Sequence, residues 1–233
     1  MLGETLKLRE FKNHPFEQGN IFDGGGANPK HGAGNLNRRF QDGNASAAYY
    51  NQRRETEFMA RIALIEPAQA SPEVKEIYEQ KLKGKPGNTQ KALAHRPDLL
   101  KNFLSFYASV GRSLDRRLYE LIYIRTSLIN QCHYCLQHHL ASSKRAGVTP
   151  DDWKLLQAGD YARFSEKEQA AVAYAEKLTR NPHSVNDADF AVLKKHFNDA
   201  QIVDLHLLTG LANLTNRFTD PLGLEVEFPE EKI

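Results

Sequence analysis

The chain has 233 residues, a formal net charge of +2 and two cysteines, which fits one domain, or one domain with an appendage, able to bury a real core. The absence of a polybasic stretch argues against nucleic-acid binding. With no apolar run near the roughly 20 residues of a bilayer span and a start too charged for a secretory signal, no membrane role and a cytoplasmic location are expected.

Residues 1–58 hold eight of the fifteen glycines, including Gly24, Gly25 and Gly26, with much Asn and Gln. Such a segment cannot bury enough apolar surface to fold alone. It reads as an irregular N-terminal extension, disordered or docked, with Phe11, Phe16, Phe22, Phe40, Tyr49 and Tyr50 as its anchors. A coherent domain, 59–233, begins at Met59. Ser71 and Pro72 open a helix to about Lys83, and a loop follows at 84–88. A short helix spans Gln90 to His95, and the next runs from Pro97 to about Val110. After the central pair of helices, Thr149-Pro150 opens a helix that Gly159 ends, with Trp153 facing inward. Ser165 and Glu168 form a capping box for a helix to about Thr179. Asn186 and Asp189 cap a helix ending near Phe197, and a last long helix spans about Ala200 to Thr219. No period-2 run interrupts the series, so the fold class is all-α.

The chemistry concentrates between Glu120 and Gly147. Leucine and isoleucine at helical spacing predict a helix from about Asp115 to Asn130, delivering the chain to Cys132, where CxxC opens a second helix that ends at Gly147. At roughly 100° per residue, Cys132, Cys135 and His139 fall within about a 60° arc, while His138 lies off it. One turn of helix brings two sulfurs close enough to bond, and the helix N-terminus favours a thiolate. His139, one turn beyond Cys135, is placed to exchange a proton with that sulfur. Glu120 lies with Ile124 and Ser127 on a side opposed to the main apolar stripe, so the helix is apolar on two sides and a desolvated carboxylate with a raised pKa is expected. Arg125 falls in the main stripe and reads as a buried ion-pair member. His206 reads as a satisfied core or interface histidine, and Asn213, Asn216 and Arg217 as ties from the last helix to its neighbours. His95 could line a substrate entrance.

With Glu120, Cys132, Cys135 and His139 in this order and spacing, the domain resembles the carboxymuconolactone decarboxylase superfamily, in its alkylhydroperoxidase D-like, peroxidase-related branch. The similarity includes Ala94-His95-Arg96-Pro97, Phe164-Ser165-Glu166 and Asn213-Leu214-Thr215-Asn216-Arg217-Phe218. The resemblance implies an all-α fold, a homo-oligomer, and a cysteine-based peroxidase with peroxiredoxin activity. It further implies that Cys135 is the peroxidatic cysteine, that Cys132 resolves it, and that Glu120 and His139 relay protons. The substrate is then a hydroperoxide and the reductant an external dithiol, with no cofactor and no metal. Alkylhydroperoxidase D has a histidine just before its second cysteine; here that place is Tyr134, and the histidine is His133. Two other readings fit the same residues: a lyase or isomerase of a small carbonyl acid using Glu120 and His139 as acid and base, and an oligomeric or zinc-holding scaffold.

Overall fold

The structure, a computed structural model, describes residues 60–229. The extension 1–58 and the domain start at Met59 lie outside the described residues. Among the described residues there are nine α-helices and no strand, as the all-α reading expects. Helices begin where a side-chain oxygen or a proline takes the place of the amide partners that a first turn lacks. Ser71 caps α1 (Pro72–Leu82), and α2 (Asn88–Leu93) and α3 (Pro97–Ser109) follow. Asp115 caps α4 (Arg116–Asn130) and Cys132 caps α5 (His133–Arg145). Capping boxes at Thr149/Asp152 and Ser165/Glu168 start α6 (Pro150–Ala158) and α7 (Glu166–Arg180). Two more, at Asn186/Asp189 and Asn198/Gln201, start α8 (Asp187–Leu193) and α9 (Asp199–Leu222).

The helix ends differ from expectation in two places. α8 stops at Leu193 rather than near Phe197, because the chain must turn for Phe197 to enter the core and for Asn198 to cap the next helix. α9 continues through Pro221 to Leu222, and Gly223 closes it at φ 66°. A proline near a helix C-terminus removes a single amide from the ladder, a loss that the last turn absorbs.

α4 is the axis of the fold, packed against α5, α6, α7 and α9. Its residues from Leu118 to Ser127 are all buried. Leu118, Tyr119, Ile122 and Tyr123 face a core shared with α7, α8 and α9, while Leu121 and Ile124 face a second core with Leu136, Leu140, Trp153 and Leu156. Burial on two sides is what the sequence pattern expects of this helix. Arg125 is the polar member that makes it possible: 5% exposed, it pairs with Glu176 at 2.8 Å and donates to the Leu156 carbonyl at 2.6 Å. The α4–α5 turn is tight. Gln131 takes the left-handed conformation at φ 56°, and its N–H and that of Cys132 return to the carbonyls of Leu128 and Ser127. Two backbone bonds thus offset the roughly 1–2 kcal/mol that a left-handed non-glycine residue costs.

The last helix serves as a tie on one side and an open face on the other. Asn216 accepts from Asn130 and donates to Ser127, and Asn213 accepts from Asn130, so α9 is stitched to the end of α4 as expected; Arg217 instead bonds back to Asn213 within its own helix. His206 is exposed rather than in the core, and its Nδ1 meets the Tyr174 hydroxyl at 2.7 Å. Val203, Leu207 and Leu214 project from α9 at 57%, 40% and 55% exposure, lying within about a 40° stripe at helical spacing.

Candidate active site

The site forms where α4, α5 and α9 meet. Cys132 stands at the N-cap of α5, where its sulfur accepts the Cys135 N–H at 3.3 Å, and the two cysteines are joined as a disulfide with their Cα atoms 5.4 Å apart. One helical turn fixes that spacing. Cys132 is 0% and Cys135 4% exposed. Over them lie Ala92, Ile62, Leu64, Phe218, Leu224 and Val226, so the sulfurs sit under two segments, one before α1 and one after α9.

His139 and Glu120 lie in direct contact. The Nδ1 of His139 lies 2.7 Å from Oε2 of Glu120, which also accepts from the Ser142 hydroxyl at 2.9 Å. Arg116, one turn earlier on α4, brings its guanidinium 2.7 Å from the other carboxylate oxygen, which accepts no aligned hydrogen bond among the described residues. Glu120 is fully buried. Burial alone would raise its carboxyl, as the sequence reading expects, but His139 together with Arg116 and Ser142 overrides desolvation and holds it below the ordinary carboxylate value. The expected raised pKa is therefore corrected to a depressed one. Glu120 is an anion at neutral pH.

With Nδ1 engaged by a carboxylate, Nε2 is the nitrogen of His139 suited to take up or release a proton. The ring lies flat on Tyr123, centroids 3.8 Å apart and planes at 22°. Side chains of a helix lean towards its N-terminus, so His139 leans over the turn that carries Cys135. Tyr123 is itself fixed by its hydroxyl, 2.6 Å from Thr215 Oγ1, and burial raises its phenol well above the usual value. It therefore stays neutral and acts as a platform.

Tyr134, at one of the two departures from the alkylhydroperoxidase D pattern, is engaged away from the cysteines. The Tyr134 hydroxyl donates to Glu227 at 2.7 Å and accepts from the Thr89 amide at 3.3 Å, while His138, off the cysteine arc as expected, meets Glu227 at 2.9 Å. Glu227 also takes the Asn88 amide. Burial opposes its ionisation, but His138, the Asn88 amide and Tyr134 push its carboxyl down to about 2. Residues 224–227 are thus pinned as a strap beside the disulfide. His95 is engaged with the Ala63 carbonyl at 2.7 Å, and this bond holds the segment before α1. Among the described residues no three His, Cys, Asp or Glu side chains group as a metal site, and no helix is long and apolar enough to cross a membrane.

Ser142, Arg116, Tyr123, Glu227 and Thr219, whose hydroxyl lies 3.2 Å from Cys132 Sγ, were not singled out from the sequence. Arg116 stands one turn before Glu120 and Ser142 one turn after His139, so helical spacing carries a signal for both. The other three enter through tertiary packing and leave no local trace.

Fold and site together define a class: a helical domain with a buried CxxC disulfide backed by an ionised carboxylate–imidazole pair. Residues 97–177 match the Carboxymuconolactone decarboxylase family. The chain is 32% identical over 113 residues to the uncharacterized protein YdfG of Bacillus subtilis (strain 168), an alignment spanning 48% of this chain and 77% of that one. An uncharacterized peroxidase-related protein from Silicibacter sp. TM1040 superposes with a TM-score of 0.63 at 28% identity, over 74% of this chain and 93% of that one. The alkylhydroperoxidase AhpD core of an uncharacterized peroxidase-related protein from Ralstonia eutropha JMP134 gives 0.63 at 27% identity, over 74% and 94%. The debrominase Bmp8 shares the fold at 18% identity, with a TM-score of 0.57 over 67% and 87%. The chain belongs to the carboxymuconolactone decarboxylase family, in its AhpD-like branch.

Proposed function

We propose that the domain 59–233 is a cysteine-based peroxidase that reduces hydroperoxides through the Cys132/Cys135 couple, with Glu120 and His139 as its proton relay. The observation that carries this reading is the pairing of a CxxC disulfide with a buried Glu120–His139 contact of 2.7 Å, on adjoining turns of one helix pair. In the reduced protein, His139 takes the proton of Cys135, and the buried Glu120 anion stabilises the imidazolium. The thiolate attacks the terminal peroxide oxygen. A sulfur–oxygen bond forms, the oxygen–oxygen bond breaks, and the departing alkoxide takes the proton held by His139, leaving an alcohol and a sulfenic acid. Cys132 then displaces the hydroxyl as water and closes the disulfide before further oxidation. An external dithiol returns two electrons and two protons by thiol–disulfide exchange and leaves as its own disulfide.

The assignment of Cys135 as nucleophile fits the local electrostatics. Cys132 Sγ already accepts an amide at the helix N-terminus, which favours its thiolate as a leaving group when the disulfide is reduced. Cys135, one turn inside, depends on a base. The protein is further proposed to be a homo-oligomer, with the exposed Val203, Leu207 and Leu214 stripe of α9 against a second copy. The test is thiol titration before and after one equivalent of hydroperoxide. Loss of both thiols with one alcohol formed supports the peroxidase reading. A lyase run by Glu120 and His139 alone leaves both thiols titratable, and that result overturns it.

A further inference from the structure

Thr219 reaches both sulfurs. Its hydroxyl oxygen lies 3.2 Å from Cys132 Sγ and 3.4 Å from Cys135 Sγ, and the residue is 1% exposed. α9 carries it there. The same hydroxyl is 2.9 Å from the Thr215 carbonyl, one turn earlier on its own helix. A disulfide sulfur is a poor acceptor, so in the oxidised protein the hydrogen points to that carbonyl. A thiolate is a far better acceptor, and a hydroxyl hydrogen rotates freely to meet one. Nothing is stranded by the turn, because the Thr215 carbonyl keeps its helical amide partner.

The two sulfurs differ in what else supports them. Cys132 has the Cys135 amide and the start of α5, whereas Cys135 sits inside the first turn and has no such donor from the helix end. The Thr219 hydroxyl, on a different helix, lies within reach of Cys135. Resting on the dithiol chemistry proposed above, we propose that Thr219 is a thiolate-stabilising residue: on reduction its hydroxyl turns from the Thr215 carbonyl to donate to Cys135 Sγ, holding that sulfur ionised and aimed. The chain Tyr123–Thr215–Thr219 gives the hydroxyl a fixed seat. Thr215 Oγ1 is held by the Leu211 and Ala212 carbonyls, at 3.1 and 3.0 Å, and by Tyr123. The Tyr123 ring in turn lies against His139, so the residue that helps seat the donor also packs against the proposed base.

The test uses no peroxide, so its outcome is separable from the peroxidase reading. In the full chain carrying Cys132→Ser, the rate of Cys135 alkylation by iodoacetamide is followed against pH, with Thr219 intact, as Thr219→Val and as Thr219→Ser. Thr219→Val is expected to move the thiolate midpoint up by about one pH unit or more, a tenfold loss of thiolate below it, with Thr219→Ser close to the parent. Circular dichroism and the melting temperature report whether the valine variant folds. If it does not, Thr219→Ala carries the same measurement. An unmoved midpoint in a folded variant lacking the hydroxyl overturns the proposal. So does a shift seen only at Cys132 in the Cys135→Ser chain.

Discussion

Replacing Glu120 by glutamine isolates the charge at the centre of the relay. The carboxylate is fully buried and makes three contacts: His139 at 2.7 Å, Ser142 at 2.9 Å and Arg116 at 2.7 Å. The amide oxygen of glutamine can keep the bonds to His139 and Ser142, but its NH2 then faces the Arg116 guanidinium, donor against donor. Arg116, 61% exposed, can turn to solvent at little cost. What is lost is the anion beneath the imidazolium. A hydrogen bond to a charged group contributes about 1.5–3 kcal/mol, which at 1.36 kcal/mol per decade is roughly a 10- to 100-fold loss in thiolate formation. The assay is peroxide turnover with a small dithiol as reductant, with the alkylation rate of Cys135 followed in parallel. Both are expected to fall together by that factor in Glu120→Gln. Turnover and alkylation that match the unsubstituted protein would refute the relay.

Glu227→Gln removes the charge that pins the strap, so the disulfide is expected to be reduced about tenfold faster by a small phosphine at neutral pH, the scale of one weakened charged contact; an unchanged rate argues against the strap as a barrier. The same contact predicts a pH effect: because the Glu227 carboxyl is depressed to about 2 in the folded chain, its contribution is present above the unfolded value near 4.3 and is lost as pH falls through about 2, which phosphine reduction across that window reads as a rising rate. Arg125→Met removes the buried cation from Glu176 and the Leu156 carbonyl, while Glu176 keeps Arg180 and Tyr161 and that carbonyl keeps the Gly159 amide, so it should cost about 1.5–3 kcal/mol in denaturant unfolding; a loss below about 0.5 kcal/mol contradicts the buried pair. Leu214→Glu, at an exposed position of α9, is expected to shift the proposed oligomer towards monomer in light scattering while the melting of the domain is kept, and an unaltered mass sets that face aside.

The sequence carried those parts of the fold that are written locally. Ser71, Thr149, Ser165 and Asn186 announce helix starts because a cap is a property of a few adjacent residues. The two-sided burial of α4 follows from periodicity, and so does the common face of Cys135 and His139. Helix ends were less legible at Phe197 and Pro221, where core packing decides how far a turn continues. At the site, periodicity indicated that Glu120 is desolvated but not which neighbours would meet it. Its pKa direction therefore came out reversed, since three partners outweigh burial. Thr219 and Glu227 lie more than eighty residues from the cysteines. A pattern read along one helix carries no information about a side chain delivered from another.

Sulfenic-acid trapping in the single-cysteine chains separates the roles of the two sulfurs. Each variant, Cys132→Ser and Cys135→Ser, is reduced, given one equivalent of hydroperoxide and labelled with a dimedone-type probe. Peptide mapping then locates the adduct. A stoichiometric adduct is expected on Cys135 in the Cys132→Ser chain, and little on Cys132 in the Cys135→Ser chain. An adduct confined to Cys132 reverses the roles of the two sulfurs, and no adduct on either contradicts the peroxidase reading.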